Sequence, residues 1–178
     1  MGLFNTFRAK ENKMEISNNK KVLEINENLK INLKYEESWF GKLQYNFGKI
    51  KSNNIDVQID SYDSEKNLDE QKETLRLFFD EWNNIENKII DASYNYYNSE
   101  REKLGYDIEK NEDYPELKDV SEIIDMIEII GITVPEQDDS SERAISIVFN
   151  CTWEREHGMG ICLVNNNVIE IGYQDIAL

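Results

Sequence analysis

The chain has 178 residues, 39% hydrophobic and 11% aromatic, too apolar for a disordered polymer. A chain of this length can bury roughly two-thirds of its unfolded surface without a disulfide or metal staple. Its 36 acidic side chains against 20 Lys and Arg give a net charge of −16, which argues against nucleic acid, because phosphate recognition rests on clustered Lys and Arg.

The first residues, Met1-Gly2-Leu3-Phe4-Asn5-Thr6, match the bare N-myristoylation pattern, and Leu3, Phe4 and Phe7 with Arg8, Lys10 and Lys13 form a short basic amphipathic segment. It is too short to hold a membrane, so a loosely ordered terminus over 1–20 is expected and no stable membrane association. Residues 22–62 alternate. Leu29, Ile31, Leu33 and Tyr35 share one side, as do Leu43, Tyr45 and Phe47, and again Ile55, Val57 and Ile59. Period-two alternation predicts strands with one buried and one wet face. Breaks fall at Asn26-Glu27-Asn28, Gly41 and Ser52-Asn53-Asn54, giving three or four strands in an antiparallel meander.

At Asn67 the period changes. Leu75, Phe78, Phe79, Trp82, Ile85 and Ile89 fall at helical spacing, and Asn67 with Glu70 has the form of a capping box. The spacing predicts one long amphipathic helix from Leu68 to about Lys103. At ~1.5 Å per residue it would run ~50 Å, more than a compact domain of this size needs, so a break or a projecting end is expected. Tyr94, Tyr96 and Tyr97 sit at its far end, suited to core packing or to a partner surface. A polar stretch with Pro115 leads to a second, shorter predicted helix from Asp119. Its stripe is Val120, Ile123, Ile124, Ile127 and Ile130, with Gly131 as the C-terminal cap. After an acidic loop, 136–142, alternation returns at Ile145, Ile147, Phe149 and Cys151, then over 159–164 and 168–173, with Asn165-Asn166-Asn167 as a tight turn. Strands, helices, then strands predict one α+β domain over 1–178: an antiparallel meander sheet with both helices on one face and C-terminal β-hairpins.

Between two of those strands lies Cys151-Thr152-Trp153-Glu154-Arg155-Glu156-His157-Gly158-Met159-Gly160, which holds the only histidine. On a strand Glu154 and Glu156 would share a face, and a carboxylate pair can hold a cation or act as acid and base; His157 could serve as a base. The weak catalytic candidates are therefore Glu154, Glu156 and His157, in a small hydrolytic enzyme. The leading reading of the segment is structural: a hairpin in which Gly158 and Gly160 reverse the chain, Trp153 covers the core's end, His157 bonds the turn backbone and Arg155 pairs with a glutamate. Trp153, Glu154, Glu156, His157, Gly158, Gly160 and Gly172 resemble the C-terminal hairpin of a family of uncharacterised bacterial domains: Trp, acidic, any residue, Glu-His-Gly, any residue, Gly. The resemblance implies an α+β fold and no assigned reaction, and is broadly immunity-protein-like.

Two cysteines, Cys151 and Cys162, with no CxxC pair and no Cys/His cluster, predict no zinc, and no cofactor is expected; they lie on adjoining predicted strands that a hairpin could bring close, but a reducing cytosol predicts free thiols and no disulfide. Free thiols without a leader segment suggest the cytoplasm, and richness in Asn, Ile and Lys suggests an AT-rich bacterial genome. Charge is segregated. Residues 1–50 hold nine basic and six acidic side chains; residues 51–178 hold eleven and thirty. The leading expectation is a non-enzymatic acidic interaction protein. It would bind a basic protein partner through Glu136, Asp138, Asp139, Glu142 and Trp153.

Overall fold

The computed structural model describes residues 19–64, 67–105, 111–136 and 142–178. The basic N-terminal segment, and Asp138 and Asp139 of the acidic loop, lie outside the described residues. Eight strands form one sheet in sequence order: β1 Lys20–Asn26, β2 Leu29–Tyr35, β3 Trp39–Leu43, β4 Lys51–Ile59, β5 Ile127–Val134, β6 Ala144–Cys151, β7 Met159–Val164 and β8 Asn167–Gly172. Neighbours are antiparallel except β4 and β5, which pair in parallel. Two four-stranded meanders therefore lie side by side. A parallel pair needs a long crossover, and the helices between β4 and β5 supply it. The fold is α+β, with C-terminal hairpins.

Burial follows the alternation. Leu29, Ile31 and Leu33 of β2, Ile55, Val57 and Ile59 of β4, and Ile145, Ile147 and Phe149 of β6 all face inward. Two predicted breaks fall elsewhere: Gly41 lies inside β3, and Asn53 and Asn54 lie inside β4. The turn between β2 and β3 instead passes through Glu37 at φ 73°. At Gly41 the missing side chain matters for packing, since a Cβ there would come 2.8 Å from the Asn32 carbonyl oxygen and from Ile31.

The long helical region is two helices, α1 Asp69–Asp80 and α2 Trp82–Lys103, joined at Glu81 with φ −97° and ψ 8°. Leu75, Phe78, Phe79, Trp82, Ile85 and Ile89 are buried as the spacing predicts. The break lets each piece follow the sheet where a straight ~50 Å rod would overshoot it. The second helix is corrected. Only Val120–Met126 is helical, as a 3-10 turn capped by Asp119, which accepts from the Ser121 N–H at 2.8 Å. Residues 127–134 are β5, so Gly131 is a strand residue and not a helix cap. A run of Ile at both i+3 and i+4 and at i+2 fits either period. The parallel partner β4 settles the choice in favour of a doubly covered strand.

The sheet's other face is covered at one side by the C-terminal segment. Gly131, Val148, Gly160 and Gly172 pair across β5 to β8 in one row, and a 3-10 turn, Gln174–Ala177, folds over it. A Cβ on Gly160 would lie 2.8 Å from the Tyr173 carbonyl oxygen and 2.9 Å from Ala177 Cβ. Gly160 and Gly172 thus leave room for this segment, which lies over them as a strap.

Candidate functional site

The singled-out segment is the turn between β6 and β7, not a strand, so Glu154 and Glu156 do not share a face. Instead Glu154 meets His157. Its Oε1 accepts the His157 backbone N–H at 3.3 Å and lies 3.2 Å from His157 Nδ1. The Glu154 carbonyl accepts the Gly158 N–H at 3.0 Å and the Cys151 thiol at 3.4 Å. Gly158 has φ +56°, the left-handed region that suits glycine. Gly160 carries no such φ. Glu156 is exposed. Arg155 lies 4.0 Å from Asp113 rather than on a glutamate, and its Nε donates to the Thr152 carbonyl at 3.4 Å. The strap locks onto this turn. Gln174 N donates to the His157 carbonyl at 3.2 Å, and Gln174 Nε2 donates to the Phe149 carbonyl at 2.9 Å.

Behind the turn stands an aromatic wall. Trp153 is only 5% exposed and meets Tyr97 edge-to-face at 5.1 Å. Tyr97 is fully buried, stacks on Tyr114 at 5.9 Å, and donates its hydroxyl to the Pro115 carbonyl at 2.5 Å. The predicted tyrosine group is therefore divided: Tyr97 is core, while Tyr94 and Tyr96 pack only partly against it. Tyr114 and Tyr173 complete a surface that neither periodicity nor motif revealed, because three separate segments build it. Tyr173 is 46% exposed, with the His157 ring 5.2 Å away.

Burial raises the phenol pKa of Tyr96, and the neighbouring Glu100, Tyr173, Cys151 and Tyr114 raise it further. Tyr114 is raised by burial first, then by Glu154 and Glu100. These tyrosines stay neutral at physiological pH. Burial also pushes the Cys151 thiol up to about 11, only partly offset by its bond to the Glu154 carbonyl. A thiol held protonated is a poor nucleophile, and Cys151 packs as a small apolar side chain in the core cluster. Among the described residues, no three His, Cys, Asp or Glu side chains come together as a metal set, and no helix is long and apolar enough to cross a membrane.

Glu136 and Glu142, the described ends of the acidic stretch, flank the start of β6, whose far end leads into the turn roughly 25 Å away at ~3.3 Å per residue. Glu142 there is exposed and Glu136 half-buried. The cysteines are also apart. Cys162 pairs with Ser146, five positions before Cys151 on β6, or roughly 16 Å along the strand. A disulfide needs Cα atoms within about 7 Å. Thiol titration of the denatured, unreduced protein should therefore find two free thiols, and finding none would contradict this register.

Searches of curated proteins and of solved structures each found no match. A family profile, described as a domain of unknown function, matches residues 29–178. This stretch begins with β2 and takes in both helices, the turn with its tyrosine wall and the strap. The chain belongs to this DUF6985 family.

Proposed function

We propose that this chain is a non-catalytic interaction protein of bacterial type, comparable to an immunity protein, that binds a basic protein partner. The observation that carries this reading is the charge around the tyrosine wall. Residues 100–105, 111–118, 153–157 and 173–178 carry eight carboxylates against four basic side chains. Tyrosine is enriched at protein interfaces, and complementary charge speeds encounter with a basic partner. Two residues of the turn also support a binding role. Glu154 orders the turn through the His157 backbone, and Trp153 backs the surface from within through Tyr97.

The protein encoded beside this chain is the first partner to test. Its affinity should fall as salt rises from ~50 to ~500 mM, because exposed charges are screened over ~10 Å at 0.1 M and ~3 Å at 1 M. Neutralising Glu136, Asp138, Asp139 and Glu142 should slow association if the acidic loop steers the encounter. Affinity that ignores both changes would leave the charge as a solubility device and end this reading.

A further inference from the structure

We propose that the tyrosine surface at the C-terminal end of α2 takes an arginine side chain of the basic partner, its guanidinium laid against Tyr96, Tyr114 and Tyr173 and held by Glu100 and Glu154. This inference rests on the binding reading above and names the chemistry of its anchor. Three observations lead to it. First, the rings come from three rigidly held places. Tyr96 is on α2. Tyr114 is stacked on buried Tyr97, and Arg101 Nε donates to its carbonyl at 3.1 Å. Tyr173 stands at the root of a strap bonded to the turn. Rings fixed in this way lose little freedom on binding. Second, both carboxylates are mostly shielded, with side chains 17% exposed at Glu100 and 23% at Glu154. Shielding strengthens their pull on a cation. Their present partners, Lys103 and His157, are themselves exposed, so an incoming cation can replace or extend these pairs. Third, the surroundings carry twice as many acidic as basic side chains, which disfavours an anionic ligand.

Arginine fits better than lysine. Its guanidinium is planar, weakly hydrated, stacks on aromatic faces and can engage carboxylates with two parallel bonds. Lysine offers a compact, strongly hydrated point charge.

The test is an NMR titration of the full chain at low salt with two short peptides, alternating glycine–arginine and glycine–lysine, of equal charge. The arginine peptide should bind several-fold tighter, shift the ring signals of Tyr96, Tyr114 and Tyr173 together, and saturate. Tyr173→Ala should weaken it about two- to fivefold, the range expected for one exposed cation–π contact. Glu154→Gln, which keeps an oxygen for the His157 N–H, should also weaken it without lowering the melting temperature. Equal binding of both peptides with ring signals unmoved would overturn the arginine site while leaving the basic-partner reading intact. Binding of neither peptide would overturn both.

Discussion

Replacing Trp82 with Ala should lower stability by roughly 3–5 kcal/mol, which for a chain of this size means a melting temperature lower by about 6–20 °C. Trp82 opens α2 just past the break and joins three parts of the structure. Its ring meets Phe47 edge-to-face at 4.5 Å and Phe78 at 5.4 Å. Phe47 in turn packs against Phe79, and Tyr45 against both. The irregular stretch after β3 is thereby tied to α1 and α2. Glu86, one turn along α2, holds the same stretch from the other side by accepting the Lys49 N–H at 2.5 Å. Losing the indole would open a cavity that these rings, wedged edge-to-face, cannot collapse into. Trp82→Phe is the informative companion. The indole N–H has no hydrogen-bond partner among the described residues, so Phe gives up volume but no bond and should recover most of the loss. A change below about 0.5 kcal/mol for Trp82→Ala would be the size of an ordinary surface substitution and would mean that these rings do not form the core.

The elements that could be read from sequence were those with one clean period. Leu29, Ile31 and Leu33 alternate and are buried in alternation; Phe78, Trp82, Ile85 and Ile89 repeat at helical spacing and face the sheet. Reading failed where both faces are covered. Ile127, Ile129 and Ile132 are buried on the helix side of β5, and Ile130 is the extra residue of a bulge between Ile129 and Gly131. That bulge shifts the pattern by one residue and produces a counterfeit helical stripe. The parallel join of β4 and β5 is likewise invisible to local pattern, because it depends on where the whole crossover lands.

The turn's membership was legible and its geometry was not. The segment with the lone histidine and two glycines does form one unit, and Trp153 does cover the core's end. The strand-like pairing of Glu154 with Glu156 was an artefact of treating a turn as extended. Once the chain reverses, the i to i+3 neighbours Glu154 and His157 meet instead. The tyrosine surface was half legible. Tyr96 announced itself beside Tyr97, but Tyr114 and Tyr173 are far away in sequence, and only the fold of 111–117 and of the strap brings them in. The glycines show the same division. Both looked like turn residues, yet only Gly158 has the left-handed backbone, while Gly160 is small because the strap lies on it.

That distinction sets the outcome of substitution at the two positions. Gly158→Val should rank with Trp153→Ala as the most damaging change in this region, at roughly 3 kcal/mol or more. Two effects add. A β-branched side chain at φ +56° is strained, by roughly 1–3 kcal/mol. Its Cβ would also overlap the Gln174 side-chain amide and come within 2.5 Å of the Phe149 carbonyl oxygen. Those two groups are bonded to each other at 2.9 Å, so the valine would drive out the contact that anchors the strap. Cys162, whose thiol donates to the Ile176 carbonyl at 3.1 Å, would then be uncovered and react faster with a thiol reagent in the folded protein. Gly160→Val has no left-handed backbone to oppose it and should act through the strap alone. It should release Cys162 with a smaller loss of stability. His157→Ala removes an exposed ring but keeps the backbone N–H that Glu154 accepts, so its melting temperature should fall by a few degrees at most. Gln174→Ala separates the two causes. In that background Gly158→Val keeps its backbone strain but loses the clash with the amide, so the two changes should cost less together than the sum of each alone. Additive losses would mean that the strap does not rest on Gly158, and a Gly158→Val protein that melts like the wild type would mean that the chain reverses at another residue.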